Sequence, residues 1–187
     1  NIKKALLGLS GGIDSALVVV LAVEALGKEN VIGILLPSEY STSHSITDAK
    51  ASAERLGIEH HIIPIKENFT AALTALQPIF EGKEPNVAEE NLQSRIRGMI
   101  LMGIANKIGA ALLNTTNKSE LSVGYGTLYG DTNGAIGALG DIFKTDVWEM
   151  SRWINRNEEI IPQNSIIKAP SAELRPDQKD TDSLPDY

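Results

Sequence analysis

Apolar positions in the first two thirds of the chain come in blocks. Short runs that are almost wholly apolar fall at residues 5–9, 31–36 and 110–113, and the longer stretches between them carry apolar residues at helical spacing. Short apolar runs bounded by turn residues suit strands covered on both faces, and the longer stretches suit amphipathic helices. The pattern predicts a strand over 5–9, a helix over 15–26 closed by Gly27, a strand over 31–36 ended by Pro37, a helix over 43–56 closed by Gly57, and a third strand over 60–65. Helices follow over 69–80 and from Asn86 to about Ile108. Asn86 and Glu89 form a reciprocal cap for the second of these. Its apolar stripe is Leu92, Ile96, Met99, Ile100, Gly103, Ile104 and Ile108. A fourth strand spans 110–113, and a last clear helix 145–155. Strands alternating with helices build right-handed βαβ units. The predicted fold is therefore α/β, a doubly wound parallel sheet with helices on both faces.

The pattern breaks twice. Residues 124–140 hold six glycines, with Tyr125, Thr127, Tyr129 and Asp131 between them. This is too polar and too glycine-rich for a buried helix, and a loop of that length in a compact domain is usually functional or mobile. After Pro162 the chain reads as irregular, and 177–187, acidic and proline-containing, reads as a flexible segment.

Length and composition narrow the class. The 187 residues fit one domain with a sizeable core, and 42% apolar with 22% charged residues is ordinary for a globular protein. No run is long and apolar enough for a membrane span, and no signal peptide is visible, so the expected location is the cytoplasm. A net charge of −7 argues against a general nucleic-acid binder but allows a small anion in a local basic pocket. Cysteine is absent, which removes disulfides, thiolate metal sites and a cysteine nucleophile from this chain.

Candidate chemistry starts at Ser10-Gly11-Gly12-Ile13-Asp14-Ser15, between the first strand and the first helix. Two glycines allow a tight turn with outward N–H groups, two serines add hydroxyls, and the helix aims its positive end at the turn. The result is an anion cradle suited to a nucleotide's phosphates. It lacks the Lys-Ser/Thr of a Walker A loop and the spacing of a dinucleotide fingerprint. A carboxylate among phosphates repels them unless a divalent cation intervenes, so Asp14 predicts Mg²⁺.

In an open α/β sheet, ligands sit beyond the carboxyl ends of the strands. Residues 10–15, 37–41 and 115–120 converge there. Thr115 can donate to a phosphate or to adenine, and Glu120 can meet Asp14 across a metal; taken alone, Glu120 reads first as an ordinary acid in a helix's first turn. Arg95 and Arg97 flank the stripe of the long helix, Asn91 on Arg95's side and Gln93 on Arg97's. They read either as snorkelling arginines or as a fork for an anion. Lys144, at a helix start, works against the helix dipole, and a phosphate ligand would resolve this. His60 and His61 have no metal-spaced partner. The segment 124–131 reads as a surface turn or as a base-stacking loop.

The loop 10–15 resembles the signature of the N-type ATP pyrophosphatases. Together with residues 90–97, Asn117-Lys118-Ser119-Glu120, 124–131, Lys144-Thr145 and 170–178, it resembles NAD synthetases, closest to the synthetase domain of the glutamine-dependent bacterial type. The resemblance covers almost the whole chain and reads it as one ATP pyrophosphatase-type domain, a piece of a longer protein. It implies that the carboxylate of deamido-NAD attacks the α-phosphorus of ATP. Pyrophosphate leaves, and ammonia converts the acyl-adenylate to NAD and AMP. By the family pattern Gly8, Ser10, Gly11, Gly12 and Ser15 hold the phosphates; Asp14 and Glu120 carry Mg²⁺; and Thr115, Lys144 and Ser171 contact ATP. Asp14 and Lys144 stand at the chemistry. Arg95, Glu120, Tyr125, Leu128 and Asp131 bind the acceptor. The resemblance also implies a homodimer. A glutaminase domain would lie elsewhere in the parent protein, since its cysteine is absent here.

Overall fold

The computed structural model of the chain describes residues 2–176 and 178–182. Strands β1 (Ala5–Gly8), β2 (Val31–Leu35), β3 (Glu59–Ile62), β4 (Ala111–Asn114) and β5 (Ile136–Gly137) make one sheet. Their spatial order is β3-β2-β1-β4-β5 and every pairing is parallel. The chain steps outward from β1 to β2 and β3, then crosses to β4 on the other side of β1. The direction of winding therefore reverses between β1 and β4, the place where open α/β sheets leave a crevice.

Side-chain alternation on the strands divides the core. Leu7 and Leu35 point to the face covered by α1 (Ile13–Leu26), α2 (Ser43–Leu56), α6 (Lys144–Ile154) and α7 (Gln163–Ile167). Leu6, Ile34 and Leu112 point to the opposite face, against Phe69 of α3 (Lys66–Phe80) and Ile96 and Ala105 of α4 (Val87–Ile108). Leu6 and Leu7 are both wholly buried; burial of such a side chain stabilises by roughly 1.5–3 kcal/mol. Local signals set the ends. Thr42 caps α2 by accepting from the Ser45 N–H, Gly57 closes it in the left-handed region, and Asn86 with Glu89 forms a capping box on α4.

Four expectations change. The third strand is a sheet edge, and most of its side chains are exposed rather than covered on both faces. Met99 and Ile108 of the supposed stripe on α4 are 61% and 38% exposed; the buried positions are Gln93, Ser94, Ile96, Gly98 and Ala105. Small and polar residues face inward there because α4 packs against a loop as well as the sheet. The glycine-rich segment contributes β5, and the stretch after Pro162 contains α7. Of the acidic segment 177–187, residues 178–182 are described. Asp180–Asp182 forms a 3-10 turn with Asp180 buried, while residues 177 and 183–187 lie outside the described residues. No described helix is long and apolar enough to cross a membrane.

Candidate active site

A cavity of about 300 Å³ opens at the carboxyl ends of β1, β2 and β4. Its floor is the turn between β1 and α1. Gly11 adopts φ +78°, and a Cβ there would overlap the Ser45 carbonyl oxygen of α2, so only glycine lets loop and helix approach. The Ser10 and Ser15 hydroxyls lie 3.1 Å apart, and Ser10 Oγ accepts from the Gly12 N–H. The Ser15 hydroxyl donates to the Gly12 carbonyl, and that of Ser165 in α7 to the Gly11 carbonyl. The first turn of α1 has no side-chain cap. An uncapped N-terminus at the head of a crevice is suited to an anion.

Two carboxylates face this cradle. Asp14 Oδ2 accepts from Lys144 Nζ at 2.5 Å, and Asp14 Oδ1 from Asn117 Nδ2 at 3.1 Å. Lys144 is 2% exposed. Its unfavourable place at the start of α6 thus has a protein partner in Asp14. Asn117 is wholly buried and does two jobs. It caps α5 (Lys118–Val123) in a box with Glu120, accepting from the Glu120 N–H while Glu120 Oε2 accepts from its own N–H. It also steadies Asp14. One asparagine therefore links both candidate metal ligands. Burial, reinforced by the Asp14 carboxylate, raises the Glu120 pKa from 4.5 to about 7. Among the described residues, no three His, Cys, Asp or Glu side chains gather as a metal cluster. Two oxygen ligands from the protein suit a hard cation that takes its remaining ligands from phosphates and water.

The far wall is α4 and the loop 124–140. Asn114 at the end of β4 donates to the Asp131 and Asn133 carbonyls. Ser94 accepts from the Asp131 N–H, and Asn91 accepts from the Thr127 hydroxyl. A Cβ on Gly98 would lie 2.7 Å from the Tyr129 carbonyl, so this glycine admits the loop against the helix. Arg97 turns into the cavity and donates to the Leu36 carbonyl; burial lowers its pKa to about 10, against the pull of Glu173 and Asp131. Burial raises the pKa of Asp131. Burial and Asp180 raise that of Tyr125, whose hydroxyl lies 3.4 Å from Asp180.

Most of the candidate residues meet here. Gly8, Ser10, Gly12, Asp14, Ser15, Thr115, Glu120, Tyr125, Asp131, Lys144 and Ser171 line the cavity, and Gly11 shapes its floor. Arg95 and Leu128 do not line it. Arg95 Nε donates to the Leu128 carbonyl on the outer side of α4, and the Leu128 side chain is 68% exposed. The two arginines point apart, as their spacing implies, so they form no fork. Asn117, Lys168, Glu173 and Asp180 escaped sequence reasoning as site residues, although each borders the cavity or holds a group that does. Asn117 carried a signal in the Asn-x-x-Glu cap ahead of a short helix, and Glu173 lies in the family-like stretch 170–178.

A family model described as NAD synthase matches residues 1–187. The chain belongs to the NAD synthase family. The glutamine-dependent NAD(+) synthetase of Synechocystis is 60% identical over 99% of this chain and 33% of its own length. The chain thus spans about a third of the curated relatives it matches. Among solved structures, the glutamine-dependent NAD+ synthetase of Acinetobacter baumannii, in complex with ADP, superposes with a TM-score of 0.88 at 41% identity, over 93% of this chain and 34% of that one. The NMN synthetase of Francisella tularensis superposes with a TM-score of 0.87 at 32% identity, over 97% and 71%. The doubly wound parallel sheet is thus the fold of NAD synthetases.

Proposed function

We propose that this chain is the synthetase part of a protein that amidates deamido-NAD to NAD. ATP is cleaved to AMP and pyrophosphate, and ammonia is the nitrogen donor. The observation that carries this reading is the uncapped anion cradle flanked by Asp14 and Glu120 at the sheet's crevice, in a chain whose whole length matches the NAD synthase family. ADP in the A. baumannii relative supports ATP as the nucleotide.

The task is charge management, since a carboxylate must reach a polyanion. Asp14 and Glu120 would hold Mg²⁺, which when bound would neutralise charge shared with the triphosphate. The first-turn N–H groups of α1 and the Ser10 and Ser15 hydroxyls receive the pyrophosphate end. Lys144, oriented by Asp14, offers a cation to the departing charge. Thr115 and Ser171 lie on the same cavity wall for ATP. Tyr125 and Asp131 line the acceptor's side, with Arg95 and Leu128 beyond its rim.

The acceptor carboxylate oxygen bonds to the α-phosphorus and pyrophosphate leaves. Ammonia then bonds to the acyl carbon, AMP leaves, and a proton is released. A glutaminase region in the parent would supply the ammonia, as the names of the relatives suggest. A homodimer is supported by Met99 and Met102, exposed one and two turns after Arg95, beside exposed Leu128 and Tyr129. The reaction belongs in the cytoplasm.

Pyrophosphate release by the parent protein tests the reading. It should require ATP, Mg²⁺, deamido-NAD and ammonia together, and no release under those conditions would defeat it. The likeness to an NMN synthetase favours one competitor, a mononucleotide acceptor. Faster turnover of nicotinate mononucleotide than of deamido-NAD would select that instead. ATP binding without AMP production would mark a non-catalytic module.

A further inference from the structure

Residues 168–175, which follow α7, form a strap that lines the cavity through Lys168, Pro170, Ser171, Ala172, Glu173 and Leu174. One residue in it, Glu173, has the left-handed backbone conformation, with φ +51°. A non-glycine residue in that region needs outside contacts to hold it. Here they come from α2, more than a hundred residues away in sequence. Glu173 Oε1 accepts from the Ser45 hydroxyl at 2.6 Å and lies 3.1 Å from Thr42 Oγ1, and Oε2 accepts from the Thr42 N–H at 3.2 Å. The carboxylate thus sits on the first turn of α2, where the helix dipole favours a negative charge. Lys168, at the root of the strap, donates to the same Ser45 hydroxyl.

That turn is also the one Gly11 packs against, through the Ser45 carbonyl. The phosphate loop and the strap are therefore both registered to Ser45. Within the strap the Ser171 hydroxyl is held from two sides: it accepts from the Glu173 N–H at 3.1 Å and donates to the Gln178 carbonyl at 2.6 Å, so the backbone of Glu173 is one of the two groups that orient it. Gln93 of α4 secures the next residue by donating to the Leu174 carbonyl.

We propose that Glu173 is a positioning residue: by seating its carboxylate on the first turn of α2, it latches the strap against the cavity wall and, together with the Gln178 carbonyl, sets the Ser171 hydroxyl in register with the phosphate loop. The catalytic consequence rests on the ATP-dependent reading above; the latch itself does not.

The test uses the full-length parent with Glu173→Ala, Glu173→Gln, Ser171→Ala and the Glu173→Ala/Ser171→Ala pair. Hydrogen exchange on ligand-free protein reads the latch directly. Amides of 172–175 should exchange at least about tenfold faster in Glu173→Ala, since hydrogen bonds to a charged group are lost. Glu173→Gln, which keeps a carbonyl acceptor for Ser45, should fall between. In steady state the KM for ATP should rise roughly tenfold in Glu173→Ala with kcat within about twofold. Ser171→Ala should add nothing further in that background, because the same contact is already lost. Unchanged exchange in Glu173→Ala would overturn the latch. Effects of the two substitutions that multiply would overturn action through Ser171. If the wild type releases no pyrophosphate, the functional reading fails while the exchange result still decides the latch.

Discussion

The two ends of the cavity are built differently. The phosphate end is made where strands stop. Ser15, Asn117 and Lys144 are almost wholly buried, and each is bonded to a group from another segment or across the turn. The opposite end is a glycine-rich loop laid on α4. Asn114, Ser94 and Asn91 pin its backbone, but Leu128 and Tyr129 stand 68% and 81% exposed. One end is closed within this chain. The other leaves the Leu128 and Tyr129 side chains open at its edge.

The sharpest way to break this contrast is Asp14→Asn. It should lower turnover by on the order of 10³-fold while the far-UV and near-UV circular dichroism stay unchanged. Unaltered pyrophosphate release would remove Asp14 from the chemistry. Gly11→Ala comes next. The φ of +78° and the overlap with Ser45 should cost about 2–4 kcal/mol in urea unfolding, or displace the loop with a matching loss of ATP affinity. A neutral result would mean that loop and helix are not in register.

The arginines sharpen the same comparison. Arg97→Ala should raise the KM of one substrate by roughly 10–100-fold, because a buried guanidinium is lost from the cavity. Arg95→Ala in the isolated chain should change stability by less than about 0.5 kcal/mol. On the proposed homodimer, Arg95→Ala should impair kinetics only at protein concentrations high enough for association; an effect independent of concentration would show that the open end works without a partner.

Glu120 gives the pH signature of the closed end. Its pKa is raised, from 4.5 to about 7, so between these values the folded protein holds a proton that the unfolded chain has released. Stability of the metal-free protein should therefore fall as pH rises through that window and level off above it. Glu120→Gln should remove the slope and be the more stable at pH 8 by on the order of 1–2 kcal/mol. Equal slopes in the two proteins would show that Glu120 ionises normally. The smallest effect is Leu128→Ala, expected within about 0.5 kcal/mol of wild type in thermal unfolding.

Legibility in the sequence followed locality. β1, α1, β2 and α2 could be read because apolar runs, Gly27, Pro37 and Gly57 report on their own neighbourhoods. The edge position of β3 could not, since strand order is a long-range matter. α7 was missed because five residues carry no helical period; its Ser165 hydroxyl braces the Gly11 carbonyl. Met99 was misread because its spacing matches the apolar stripe, yet that side of α4 faces solvent. At the site, the cradle and Glu120 lie in contiguous motifs. Arg97 was visible only as one of two arginines, and choosing between them needed to know which side of α4 the cavity occupies.

By itself the sequence determined the doubly wound class, the glycine turn between β1 and α1 and the Asp14 carboxylate beside it, because these depend on short-range periodicity and turn chemistry. Only the tertiary structure decided that Asn117 bridges Asp14 and Glu120, that Lys144 answers Asp14 from 130 residues away, and that Arg97 rather than Arg95 enters the cavity. Those pairings are set by which strand ends lie side by side across the reversal between β1 and β4. Side-chain spacing along the chain carries no information about that neighbourhood.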